Sequence, residues 1–184
     1  RMPDPDDMHL EDLFHALRFA FLILTQQKEL YVLHSASFLY RGRAFLVSGS
    51  SGTGKSTHSA LWHDLYQTPL LNGDLNLLGI RNSIPYAYGL PWCGTSGICT
   101  PKDYPLGGII FLKQAAIDQV QSLQPDEKVL HILQRMISPA WTKELLLRNL
   151  HFSEALAPLI FSCRLYCTKE PSAARTLNAA IDAL

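Results

Sequence analysis

Gly49-Ser50-Ser51-Gly52-Thr53-Gly54-Lys55-Ser56-Thr57 satisfies G-x-x-x-x-G-K-[ST], and its flanks decide how it is read. Arg43 to Ser48 before it reads as a buried strand, and Thr57 to Trp62 after it as the start of a helix. Glycines here permit positive φ and leave no side chain between backbone N–H groups and phosphate oxygens. The helix N-terminus adds partial positive charge and free donors. In this pattern Lys55 reaches the β- and γ-phosphates and Ser56 is placed to ligate Mg²⁺, with Ser51, Gly52, Thr53, Gly54 and Thr57 completing the cradle. An ordinary Gly/Ser turn would not require a Lys-Ser pair directly after the last glycine.

The feed into this loop bears on the fold. Tyr31 to Tyr40 reads as a strand, Arg41-Gly42 as a hairpin turn and Ala44 to Val47 as the returning strand. An antiparallel hairpin running straight into a phosphate loop argues for an α/β protein with a mixed sheet instead of a purely parallel one.

The remaining chain supplies the other elements. Met8 to about Thr25 has Leu10, Leu13, Phe14, Leu17 and Phe21 on one helical face. It follows a Pro- and Asp-rich start, residues 1 to 7, expected to be frayed, with Asp6 or Asp7 as N-cap. A helix over 56 to about 66 and a short strand at Pro69-Leu70-Leu71 lead to Asn72-Gly73-Asp74. Leu75 to Ile80 and Tyr86 to Tyr88 read as strands around Arg81-Asn82-Ser83. Gly89 to Gly97 is too rich in Gly and Pro for an element interior and reads as a loop. Leu106 to Leu112 is a buried strand whose Gly107-Gly108 admits close approach of another backbone. Val120 to Leu123 is expected as a strand, Asp126 to Met136 as a helix, and Trp141 to Phe161 as partly helical, interrupted by Pro158. Cys163 to Cys167 alternates like an edge strand, and Pro171 to Leu184 carries a final helix.

At 184 residues the chain fits one domain with a sizeable core. Lys+Arg and Asp+Glu are both 16, so a broad nucleic-acid or membrane surface is not expected. Phe19 to Leu24 is too short to span a bilayer and follows acidic residues, unlike a signal peptide. Cys93, Cys99, Cys163 and Cys167 lack zinc-type pairing and read as reduced cytoplasmic thiols, with Cys163 and Cys167 a weak redox candidate. The final helix could pack against another subunit, which would make a homo-oligomer.

Phosphoryl transfer also needs a carboxylate for the metal. Asp74, just after an apolar strand, fits that role; the alternative is a turn aspartate bonded to its own backbone. Thr95 and Ser96 could bind an oxyanion or acceptor, or be turn hydroxyls, and Trp92 could stack on a ligand or pack. His58 and His63 fall on the helix after the loop as face residues.

The order His34-Ser35 in a strand, Gly42 turn, Gly49 to Ser56, then Asn72-Gly73-Asp74 resembles the HPr kinase/phosphorylase catalytic domain and its smaller relatives. The resemblance runs from about Leu30 to Leu112 and more loosely to Leu184. It implies a mixed-sheet P-loop fold of the HPr kinase/phosphoenolpyruvate carboxykinase type, ATP with Mg²⁺, and phosphorylation of a hydroxyl on a protein, peptide or small molecule. It further implies that Lys55 holds the phosphates, Ser56 and Asp74 the metal, and that His34 sits near the transferred phosphate. Two features depart from that family. Gly73 stands where it carries the first of two adjacent acids, and Pro91 to Gly97 replaces the carrier-recognition segment. Either Asp74 serves as base as well, or His34 takes the proton, or the chain binds nucleotide without efficient transfer, as a regulatory module or a nucleotidase would.

Overall fold

In the computed structural model, which describes residues 5–92 and 94–184, one eight-stranded sheet is covered by helices. The side chains of residues 5–11 and of Thr95 fall outside that description, as does the thiol expected at Cys93. The elements are α1 (Pro5–Gln27), β1 (Tyr31–Tyr40), β2 (Arg43–Ser48), α2 (Lys55–Tyr66), β3 (Leu70–Asn72), β4 (Leu75–Arg81), β5 (Ile84–Tyr88), β6 (Tyr104–Gln114), β7 (Gln119–Ser122), α3 (Pro125–Arg135), α4 (Lys143–Leu156), β8 (Phe161–Cys167) and α5 (Pro171–Asp182). Short 3-10 turns lie at Gly94–Ser96 and Ala157–Leu159, the second at Pro158 as expected.

The sheet is mixed. The order β2-β1-β4-β5-β6-β8-β7 is antiparallel except that β6 runs parallel to β8, and a further parallel pairing joins β2 to β6. That last pairing closes β2, β1, β4, β5 and β6 into a ring. Two positive-φ pairs make the hairpin turns: Arg41 (φ 49) with Gly42 (φ 73), and Asn82 (φ 52) with Ser83 (φ 63).

Alternation along the central strands fills two cores. Leu46, Ile109 and Phe111 face Ile132, Phe152 and Leu156 on one side; Val47, Ile110 and Leu165 face Trp62, Ala173 and Leu177 on the other. Gly107 and Gly108 are needed where they stand. A Cβ at Gly107 would meet Phe45 Cζ at 2.6 Å, and one at Gly108 the Phe161 carbonyl oxygen at 2.7 Å.

α2 is anchored by its inward face. Trp62 stacks on Phe38 with ring centroids 4.4 Å apart and donates from Nε1 to His58 Nε2 at 3.2 Å. His58 is thus a buried acceptor, and burial pushes its pKa down to about 4, so it stays neutral.

β1 changes partners halfway. Tyr31 to His34 pair with β4, whereas Ser35 to Tyr40 pair with β2 and, on the other edge, Ser37 and Phe38 with β3. Buried side chains take the backbone groups left at the change. Asn76 Nδ2 donates to the Ser35 carbonyl at 2.7 Å and to Ser35 Oγ at 2.9 Å. Ser37 Oγ donates to Asn76 Oδ1 at 2.7 Å, and Ser48 Oγ to the His34 carbonyl at 2.7 Å. The edge of β1 vacated by β2 is taken by the chain after α3, with Leu33 bridged to Met136 and the Ile137 N–H donating to Val32 at 2.9 Å.

Four expectations need correction. The apolar face of α1 is largely open: Leu13, Phe14 and Leu17 are exposed, and the helix docks through Leu22, Thr25 and Gln26 at its C-terminal end. Helix α1 starts at Pro5, so Asp6 and Asp7 lie within it and not at a cap, and only residues 1–4 of the expected frayed start lie outside the described residues. β8 is no edge strand, since it lies between β6 and β7; its Arg164 is less buried because it lines a cleft, and Tyr166 on the same face is half-buried. Cys163 and Cys167 are buried, and burial pushes the Cys163 thiol up to about 12, which removes thiolate character at neutral pH.

The Asn76 network carries a test. Asn76→Ala strands three buried polar groups and is expected to cost about 3 kcal/mol, against about 1 kcal/mol for Ser37→Ala, which removes one bond. Urea unfolding measures both; equal costs would show that Asn76 does not hold the partner change.

Candidate nucleotide site

The G-x-x-x-x-G-K-S motif occupies the β2–α2 connection. Gly52 (φ 75) and Gly54 (φ 101) take backbone conformations closed to most side chains, and Thr53 is tied back to the Ser50 carbonyl through both its N–H (3.2 Å) and its hydroxyl. Gln114 Nε2, at the end of β6, donates to the Gly52 carbonyl at 3.1 Å. α2 begins at Lys55 with no side-chain cap and no acidic residue in its first turn, so its first N–H groups face outward unneutralised. The Ser56 and Thr57 hydroxyls are exposed there, as are Ser51 and Gly52.

Lys55 lies back across the loop, its Nζ 3.3 Å from the Gly49 carbonyl oxygen and 3.4 Å from that of Ser50. Burial lowers its pKa and Arg135 adds to this, while Asp74 opposes it.

His34 and Asp74 meet beside the loop. His34 Nε2 is 3.3 Å from Asp74 Oδ1, and both side chains are about one-third exposed, 37% and 32%. The partner change of β1 causes this meeting. His34 is the last residue paired with β4, opposite Leu75, and its neighbour Ser35 is opposite Ser48 at the mouth of the loop. Burial lowers the His34 pKa, Lys55 pushes the same way and Asp74 opposes; Arg135 and Arg18 lower it further. His34 is therefore neutral at pH 7.

Asp74 is held by its own turn. Asn72 Oδ1 accepts from the N–H groups of Asp74 (2.9 Å) and Leu75 (3.0 Å), and the Ser35 N–H donates to the Asp74 carbonyl at 3.0 Å. Asp74 thus keeps its carboxylate free of its own backbone, because Asn72 does the turn bonding. Asn72 also reaches the 89–97 loop, its Nδ2 donating to the Trp92 carbonyl at 2.8 Å. Gly94 (φ 57) packs on the aspartate: a Cβ there would lie 2.7 Å from Asp74 Cβ and 2.9 Å from its Cγ. Gly73 offers no carboxylate, and its N–H donates to Ile98 at 3.3 Å.

The structure brings His34, Lys55 and Asp74 together with the loop. Trp92 stands apart: its ring packs on Phe21 with centroids 4.4 Å apart, within the apolar cluster beneath α1. Ser96 Oγ accepts from the Ile98 N–H at 3.2 Å, and the Thr95 side chain lies outside the described residues.

One group of residues at the loop escaped the sequence reading. Arg135, at the C-terminal end of α3, places Nη2 3.5 Å from Ser50 Oγ. With Lys113, His131 and Arg164 it lines a cleft of about 420 Å³ that opens onto Gly49, Ser50 and Thr53. These four come from three distant elements, so no local spacing announces them; only the alternation of Arg164 and Tyr166 hinted at an open face.

Mg²⁺ fits this donor set. It takes one or two carboxylates and leaves its other positions to water and substrate phosphates. Asp74 and the Ser56 hydroxyl supply that much, and among the described residues there is no cluster of three or more His, Cys, Asp or Glu of the kind a zinc site requires.

No family model matches the chain, and no curated protein does either. Among solved structures it is similar to the HPr(Ser) kinase/phosphatase from Coxiella burnetii, with a TM-score of 0.41 and 10% sequence identity, covering 82% of this chain and 98% of that one. Among the described residues, no helix is long and apolar enough to cross a membrane.

Proposed function

We propose that this chain is an ATP-dependent, Mg²⁺-requiring kinase that transfers the γ-phosphate to a hydroxyl group. The observation that carries the reading is the convergence of the His34–Asp74 pair and Lys55 on an uncapped helix N-terminus preceded by a glycine-rich turn. Backbone N–H groups from Ser51 to Thr57 and the α2 dipole hold the phosphates, and Lys55 swings from the Gly49 and Ser50 carbonyls onto them. Ser56 and Asp74 would hold Mg²⁺, which supplies charge neutralisation on the β- and γ-phosphates. In transfer the acceptor oxygen bonds the γ-phosphorus, the bond to the β,γ-bridging oxygen breaks, and ADP leaves. The hydroxyl proton passes to the His34–Asp74 pair, whose imidazole is neutral at pH 7 and able to share it.

Gly73 favours a second reading, a nucleotide-binding module with weak or absent transfer, because Asp74 is left to serve both metal and proton. Turnover separates the two. With γ-labelled ATP and hydroxyl acceptors, the kinase transfers label to the acceptor; a nucleotidase releases it to water, and a regulatory module does neither. Lys55→Met is expected to weaken nucleotide binding about tenfold or more by removing charge-assisted contacts. Asp74→Asn is expected to abolish the Mg²⁺ dependence of binding and to lower turnover about 100-fold. Turnover unchanged in Asp74→Asn would reduce Asp74 to a turn residue.

The pair also has a titration signature. By NMR, His34 should protonate below the ordinary histidine value of about 6.5. Its midpoint should rise in Lys55→Met, which removes a repelling cation, and fall in Asp74→Asn, which removes the stabilising anion. Shifts of the opposite sign would mean that His34 does not sit between these two charges.

A further inference from the structure

The cleft beside the phosphate loop is built for an anion. Its charged walls are Lys113 at the end of β6, Arg164 on β8, and Arg135 on α3, with Phe111 and Leu112 as its apolar floor. His131 lies over Phe111, ring centroids 5.0 Å apart.

The charges in this cleft are poorly compensated. Arg164 Nη2 donates to His131 Nε2 at 2.6 Å and Nη1 to Gln121 Oε1 at 3.1 Å, both neutral partners. A guanidinium has no acceptor capacity, so His131 must offer an unprotonated Nε2. Burial lowers the His131 pKa, and Arg164 and Arg135 push it the same way, while Glu127 opposes. The carboxylate nearest Arg164 is Glu127 at 4.0 Å, and its other oxygen is committed to the Gln124 N–H at the start of α3. Arg135 and Lys113 enter no ion pair among the described residues; Lys113 lies 5.4 Å from the Tyr166 ring centroid. Three cations thus face one carboxylate, 4.0 Å from Arg164, which favours a ligand carrying the missing negative charge.

The position of the cleft says which ligand. It meets the loop at Gly49, Ser50 and Thr53, the side from which Lys55 reaches across, and not at Ser56 or Thr57 on the helix. Arg135 stands at the junction, its guanidinium near Ser50 and its field felt at both His34 and Lys55. A volume of about 420 Å³ exceeds what one phosphate oxygen cluster needs and is in the range of small-molecule sites. We propose that this cleft is the acceptor site, and that the acceptor is a small hydroxyl compound bearing a carboxylate or phosphate group, seated on Arg164 and Lys113 with its hydroxyl turned toward the loop.

The assignment rests on the kinase reading, and one experiment separates their failures. The full chain is loaded with Mg²⁺ and a non-hydrolysable ATP analogue, so that the phosphate loop is filled, and titrated calorimetrically with inorganic phosphate. Phosphate is expected to bind the loaded protein, with affinity falling at least tenfold in Lys113→Gln and in Arg164→Gln while analogue affinity changes less than twofold. Lys113 is exposed, so its variant decides the matter should Arg164→Gln fail to fold in a melting scan. No phosphate binding by the loaded wild type, unchanged affinity in Lys113→Gln, or parallel loss of analogue affinity would each overturn the acceptor assignment and leave the kinase reading standing. A wild type that binds no analogue would remove both.

Discussion

The change of hydrogen-bond partner along β1 is the constraint on which the rest of the structure depends. A strand that leaves one neighbour for another exposes backbone donors and acceptors, and buried ones cost roughly 1–3 kcal/mol each if left unmade. Here Asn76, Ser35, Ser37 and Ser48 fill those needs with side chains that are themselves buried. The site depends on this arrangement. Because β4 ends its pairing at His34 and β2 begins at Ser35, the histidine, the mouth of the glycine-rich loop and the turn carrying Asp74 meet at one point. The edge left open by β2 admits Met136, and that pairing carries Arg135 to Ser50.

Much of this was legible in the chain because it is local. The hairpin at Arg41-Gly42, the loop from Gly49 to Ser56 and the close approach at Gly107-Gly108 each need particular residue types at adjacent positions, and the mixed sheet followed from them. The turn at Asn72-Gly73-Asp74 was legible for the same reason, and Asn72 proved to be the residue that bonds it. Other features were not legible because they are products of packing. The face of α1 carrying Leu13, Phe14 and Leu17 has helical periodicity but is not covered by the sheet, since the helix docks at its other end. Periodicity reports which residues share a face, not whether anything lies against it. Trp92 was ambiguous between ligand and core in the sequence; it lies on Phe21 because the 89–97 loop folds back under α1.

Cys163 to Cys167 shows how one pattern can have two causes. Alternating apolar and polar residues mark a strand with one wet face, and an edge position is the commoner explanation. In β8 the strand is internal, and the wet face belongs to the cleft. Arg164 and Tyr166 both donate to Gln121, and Lys113 lies over the Tyr166 ring, while Cys163 and Leu165 pack beneath α5 and α2. The alternation therefore marked the strand face that brings Arg164 to the cleft, a cause visible only once the neighbours of β8 were known.

Charge distribution joins the two halves of the site. The chain as a whole is balanced, 16 basic residues against 16 acidic, so a local excess of cations has to be offset by acids placed elsewhere. Lys55, Arg135, Arg164 and Lys113 stand around the loop and cleft, opposed by Asp74 on one side and by Glu127, 4.0 Å from Arg164, on the other. The two arginines and the lysines repel one another, and burial first, with nearby cations adding to it, lowers the pKa values of Lys55, His34 and His131. Such an arrangement is costly for an empty fold and favourable for a filled one. A triphosphate on the loop would offset Lys55 and Arg135, whereas Arg164 would keep only Glu127 at 4.0 Å and Lys113 would have no ion pair among the described residues. The physical case for a second anion in the cleft is that a nucleotide on the loop would not balance both.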